Sequence, residues 1–159
     1  MKQSFISFFI VAVLLTSCNK KDNNPDYPNI PDIEFLNMSD SMLNLKVDTG
    51  KWFLNFEFVD GDGDLGKDPN MAQMSVFLRN EVTLDSFKFP FPYIPDFARQ
   101  GKDYVKGNAS VALQIPLFMK PRTEPAGRTK DTFSFSLYIV DDGGNISDTI
   151  YTPNVYISQ

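Results

Sequence analysis

KWFLNFEFVDGDGDLG, residues 51–66, decides the fold. In its first half Trp52, Leu54, Phe56 and Phe58 fall on one face, and Phe53, Asn55 and Glu57 on the other. A period of two with bulky apolar residues on one side is a half-buried β-strand. Its second half abandons alternation for aspartate and glycine, the residues of a turn. A strand therefore delivers its chain straight into an acidic loop.

The same period recurs on either side. Residues 33–36 form a first strand (A), ahead of 51–59 (B); 74–79 (C) and 82–89 (D) follow as partners; 111–117 (E) alternates Val111, Leu113, Ile115 and Leu117 with smaller or polar residues. Residues 133–139 (F) place Phe133, Phe135, Leu137 and Ile139 on one face, and 146–157 (G) is interrupted by Pro153, which suits an edge strand. No stretch shows a helical period with caps. Seven short strands separated by Gly, Pro, Asn and Asp predict an all-β fold, a single antiparallel immunoglobulin-like β-sandwich over residues 32–159. With 159 residues, 42% of them hydrophobic, the chain is sized for one such domain.

What precedes the domain reads as processing signal. Lys2 is followed by an almost wholly apolar run at 5–15, too short to span a bilayer, and then by Leu15-Thr16-Ser17-Cys18. Residues 1–17 are expected to be a lipoprotein signal peptide, with the chain's single cysteine, Cys18, as the lipidated residue. Residues 18–31, polar and carrying three prolines, form a flexible tether. Once Lys2 is removed, 14 basic residues face 20 acidic ones. That balance excludes nucleic acid and electrostatic adhesion to anionic lipid, so membrane attachment would run through Cys18. The absence of histidine excludes imidazole triads and His-ligated zinc.

Two acidic loops carry the chemistry. Asp60, Asp62, Asp64 and Asp68 follow strand B, and Asp141, Asp142, Asn145 and Asp148 lie between strands F and G. Carboxylates at alternate positions, with glycines that let the backbone curl, can aim several oxygens at one hard cation such as Ca²⁺. The spacing is not that of an EF-hand, whose sixth and twelfth positions would fall here on Leu65 and Met71. Parity places Asp60 in line with Trp52 to Phe58, and Asp141 in line with Phe133 to Ile139, so both face the core at one end of the sandwich. Asp60, Asp62, Asp64, Asp68, Asp141, Asp142 and Asn145 form the candidate calcium set, and a carbonyl at Leu65 or Gly66 could complete the shell. The competing reading is that Asp and Gly here are turn formers and nothing more.

Residues 89–104 form a long connection with five aromatics and three prolines. Tyr93, Phe97 and Tyr104 are the candidate binding residues, and Phe91, between two prolines, is expected to be buried. Rigid aromatics suit contact with a glycan or an envelope protein; the alternative is a lid over the open end of the core. Residues 121–130 read as a solvated hairpin.

The lipobox, the Asn19-Lys20-Lys21-Asp22 tether, the loop at 58–66 and the hairpin at 141–147 followed by Thr152-Pro153 together resemble the uncharacterised Bacteroidota lipoproteins with a DGDGD-loop, immunoglobulin-like domain. That resemblance implies a lipid-anchored outer-membrane protein. The sequence then suggests a non-enzymatic binding or scaffold module of the cell envelope. A carboxylate-based glycoside hydrolase and a purely structural spacer are the alternatives.

Overall fold

A computed structural model describes residues 26–67, 75–122 and 129–159. Cys18, Asp68 and the signal peptide lie outside these residues. Ten strands and two single-turn helices follow in order: β1 (Asp32–Met38), β2 (Met42–Asn44), β3 (Lys51–Asp60), β4 (Val76–Asn80), β5 (Ser86–Phe89), α1 (Asp96–Arg99), β6 (Val105–Gln114), α2 (Ile115–Phe118), β7 (Lys130–Phe133), β8 (Phe135–Ile139), β9 (Ile150–Tyr151) and β10 (Val155–Ser158). The chain is an all-β sandwich. One sheet has the order β1-β3-β6, the other β5-β4-β8-β9, and a small third sheet, β2-β10-β7, contains one parallel pair.

Alternation on β3 does what its sequence dictates. Trp52, Leu54, Phe56 and Phe58 are buried, and Trp52 meets Phe135 of β8 with ring centroids 5.5 Å apart, joining the two layers. Each of those rings stabilises the fold by roughly 1.5–3 kcal/mol before entropy is subtracted.

Among the described residues the seven expected strands become ten, and the main divisions have local causes. Strand F divides at Ser134, where Glu81 donates its N–H to the Ser134 carbonyl; β7 pairs with β10, while β8 pairs with β4 and β9. Strand G divides at Pro153, which has no N–H to give a ladder. Thr152 bridges the gap, its Oγ1 accepting from Phe135 N at 2.9 Å and its own N–H reaching Phe135 O at 2.8 Å. Strand E ends at Gln114, because Pro116 turns the chain into α2. The three-residue β2 is too short for alternation to register. Among the described residues no helix is long and apolar enough to cross a membrane.

The solvated hairpin also needs correction at one end. Arg122 forks onto Asp131, with Nη2 to Oδ1 at 2.6 Å and Nε to Oδ2 at 3.1 Å, while its backbone N–H reaches Oδ2 at 2.8 Å. Asp131 is buried because it shares the inward parity of Phe133. The guanidinium beside it holds its carboxyl at about 2, well below the ordinary range.

Candidate metal centre

Residue 60 is the last of β3 and pairs in register with Val105, so its side chain continues the inward row at the rim of the core. Asp141 follows β8, after an isolated bridge between Val140 and Ile146. The two loops meet. Asp60, Asp62, Asp64 and Asp141 each present a carboxylate oxygen within 4.8 Å of the others. A calcium ion 2.3–2.6 Å from each ligand spans about 5 Å from one ligand to its opposite, which is the size of this cluster.

Asp60 is fully buried. One of its oxygens accepts from Leu65 N at 2.9 Å, and the other, Oδ1, has no hydrogen-bond partner. Asp64 Oδ1 is likewise buried and unpartnered. Burial pushes the Asp60 carboxyl up to about 7; the Leu65 N–H opposes that shift, and the charges of Asp62 and Asp64 add to it. Asp64 is raised too, by burial first and then by Asp141, Asp62 and Asp142. Asp62 stays exposed at the mouth.

The remaining members of the predicted set divide. Asn145 holds Asp141, donating Nδ2 to Oδ2 at 2.8 Å and its backbone N–H to Oδ1 at 2.7 Å. Asp142 Oδ2 accepts from Lys67 N at 3.2 Å, tying the two loops together. Gly143 packs so close to Asp64 that an added Cβ would lie 2.7 Å from Oδ2. The carbonyls expected to complete the shell each accept one hydrogen bond from the 89–104 connection: Leu65 O from Arg99 Nη2 at 3.1 Å, and Gly66 O from Ile94 N at 2.8 Å.

Those bonds fasten the 89–104 connection to the acidic loop. Arg99 also donates Nη1 to Gly63 O and Nε to Ile94 O. Gly63, at φ +65°, has the Asp103 carbonyl where a Cβ would stand. Arg99 was not marked by the sequence, since two of its three partners are carbonyls more than thirty residues away. Phe91 is buried against Phe58, with ring centroids 5.1 Å apart. Phe97 is 85% exposed and Tyr93 46%. Tyr104 is half-buried, with Tyr27 edge-on at 4.9 Å and Lys102 Nζ 5.0 Å from its ring centroid. Tyr27 and Pro28, assigned to the tether, thus lie on the domain, Pro28 O accepting from Gly61 N at 2.9 Å. Comparison with protein-family models, curated proteins and solved structures finds no match for this chain.

Proposed function

We propose that this protein is a calcium-stabilised binding or scaffold module of the cell envelope, non-enzymatic and anchored to the outer membrane through lipidated Cys18, like the Bacteroidota lipoproteins it resembles. One observation carries the calcium reading: two buried carboxylate oxygens, Asp60 Oδ1 and Asp64 Oδ1, lack partners inside a four-aspartate cluster. Buried anionic oxygens are costly unless paired, and a hard divalent cation supplies the missing charge. Asp60, Asp62, Asp64 and Asp141 would hold it through oxygen, the donor calcium prefers. The compactness of the cluster supports a cage over a hydrolytic pair, since glycosidase carboxyls stand about 5–9.5 Å apart around a cleft. Phe97 and Tyr93, on the loop that Arg99 fastens to this centre, offer a rim for a glycan or an envelope protein.

Thermal unfolding in millimolar Ca²⁺ and in EDTA tests the centre. The calcium form should melt higher, Asp60→Ala and Asp62→Ala should lose the gain, and binding should release protons. Identical melting temperatures would refute it. Fatty-acid labelling in a native-like host tests the anchor; label retained in Cys18→Ala would refute that.

A further inference from the structure

The sheet β1-β3-β6 ends on β6, and among the described residues no backbone hydrogen bond reaches β6 along the edge that faces away from β3. Exposed strand edges are ordinarily blunted by shortness, charge, proline or a bulge. The other edges of the two main sheets show such devices. In β1 the register shifts between Phe35 and Asn37, with Asp32 and Glu34 alongside; β5 has four residues and Lys88; β9 has two. Strand β6 runs ten residues in unbroken register, without proline, and carries a single charge, Lys106.

A groove of about 640 Å³ lies against this edge. Its lining takes residues of both parities, Val105, Lys106, Asn108, Ala109 and Ser110, as the edge of a strand presents them. A second hollow continues along Val111 and Ala112. Together they flank about 25 Å of strand at ~3.3 Å per residue. The far wall is the connection that Arg99 fastens to the acidic loop, and its Pro90 and Pro92 have no N–H with which to pair β6 themselves. Arg99, Lys102 and Lys106 line the larger groove, and no carboxylate does, in a chain of net charge −5. Lys106 meets Glu57 at 2.6 Å and Arg99 is bonded to carbonyls, so Lys102 is the cation most open to a partner.

We infer that the free edge of β6 takes an extended segment of a partner polypeptide as an added strand, one whose side chains alternate between apolar and acidic. The inference rests on the binding-module reading and names the class of partner. The apolar side chains would enter between the sheets toward Phe58 and Phe91, and the acidic ones would lie over Lys102 and Lys106 on the outer face. A second copy fits less well, because it would bring its own Arg99, Lys102 and Lys106 to the same slot.

The experiment is amide hydrogen exchange on the folded domain with an octapeptide alternating valine and aspartate, in calcium and in EDTA, with melting temperature read on the same samples. The peptide should slow every second amide of residues 105–112 by about tenfold or more. The same peptide N-methylated at every residue should not, and Lys102→Glu should weaken binding several-fold. No slowing at millimolar peptide, slowing without alternation, or slowing that rises with protein concentration in the absence of peptide would each overturn the inference. A calcium-dependent melting shift without β6 protection refutes the strand site alone, and protection without the shift refutes the calcium centre alone.

Discussion

Asp60 and Asp131 are both buried aspartates that continue an inward-facing strand, yet the fold treats them in opposite ways. Asp131 has a forked guanidinium and two backbone N–H groups on its oxygens, and its carboxyl is held at about 2. Asp60 has one N–H, an unpartnered oxygen and two acidic neighbours, and its carboxyl is pushed to about 7. Burial alone does not set the outcome; the partners do. A carboxylate whose bonds are all supplied by the protein is structural, whereas Asp60 keeps an unpartnered oxygen in a cluster with Asp62, Asp64 and Asp141 that could hold a metal ion.

The sharpest way to break this contrast is one substitution at both places. Asp131→Asn removes the buried half of an ion pair whose Arg122 side chain is 42% exposed, and should cost about 2 kcal/mol, read by urea unfolding at neutral pH. Asp60→Asn should have the opposite sign in EDTA, stabilising the domain, because it removes a desolvated charge from a repelling cluster. Two losses of similar size would mean that Asp60 is as well satisfied as Asp131.

Calcium should invert the Asp60 result. At a hundredfold excess over Kd it contributes about 2.7 kcal/mol to the wild-type protein, and little to Asp60→Asn. Calorimetric unfolding of the two proteins in calcium and in EDTA measures the difference.

Acidity separates the two residues by window. The depressed Asp131 carboxyl contributes about 2 kcal/mol that is fully present above its ordinary value of 3.8 and lost as pH falls through about 2. The raised Asp60 carboxyl binds its proton more tightly in the folded state. In EDTA stability should therefore fall as pH rises from about 4 to about 7. Calcium should abolish that decline, because it binds the deprotonated form. Melting temperatures across pH 2 to 8, with and without calcium, should show both slopes; a flat profile between 4 and 7 in EDTA would remove the Asp60 side of the comparison.

A smaller effect is expected at Arg99. Arg99→Ala deletes bonds to three carbonyls on a half-exposed loop and should cost about 1–2 kcal/mol. Faster exchange of the Ile94 amide would be its local signature. Unchanged Ile94 exchange would mean that the Ile94–Gly66 hydrogen bond holds without Arg99.

Alternation on β3 and β8 made the sandwich, its inward aromatics and the approach of Asp60 to Asp141 legible in sequence, because a period of two is a local property and parity carries past the end of a strand. The division of the seventh segment was marked by Pro153, whose missing N–H is a property of one residue. Asp131 lay within reach of the same logic, sharing parity with Phe133, although its partner did not. Asn145 acts through a local turn that folds it back onto Asp141, four residues before it. The role of Arg99 and the half-burial of Tyr104 were decided only by the tertiary structure. Each depends on which backbone or ring arrives opposite it from a distant part of the chain. So does the open edge of β6: sequence specifies that a strand forms and which face it buries, but whether a neighbour covers its edge is settled by where every other strand has gone.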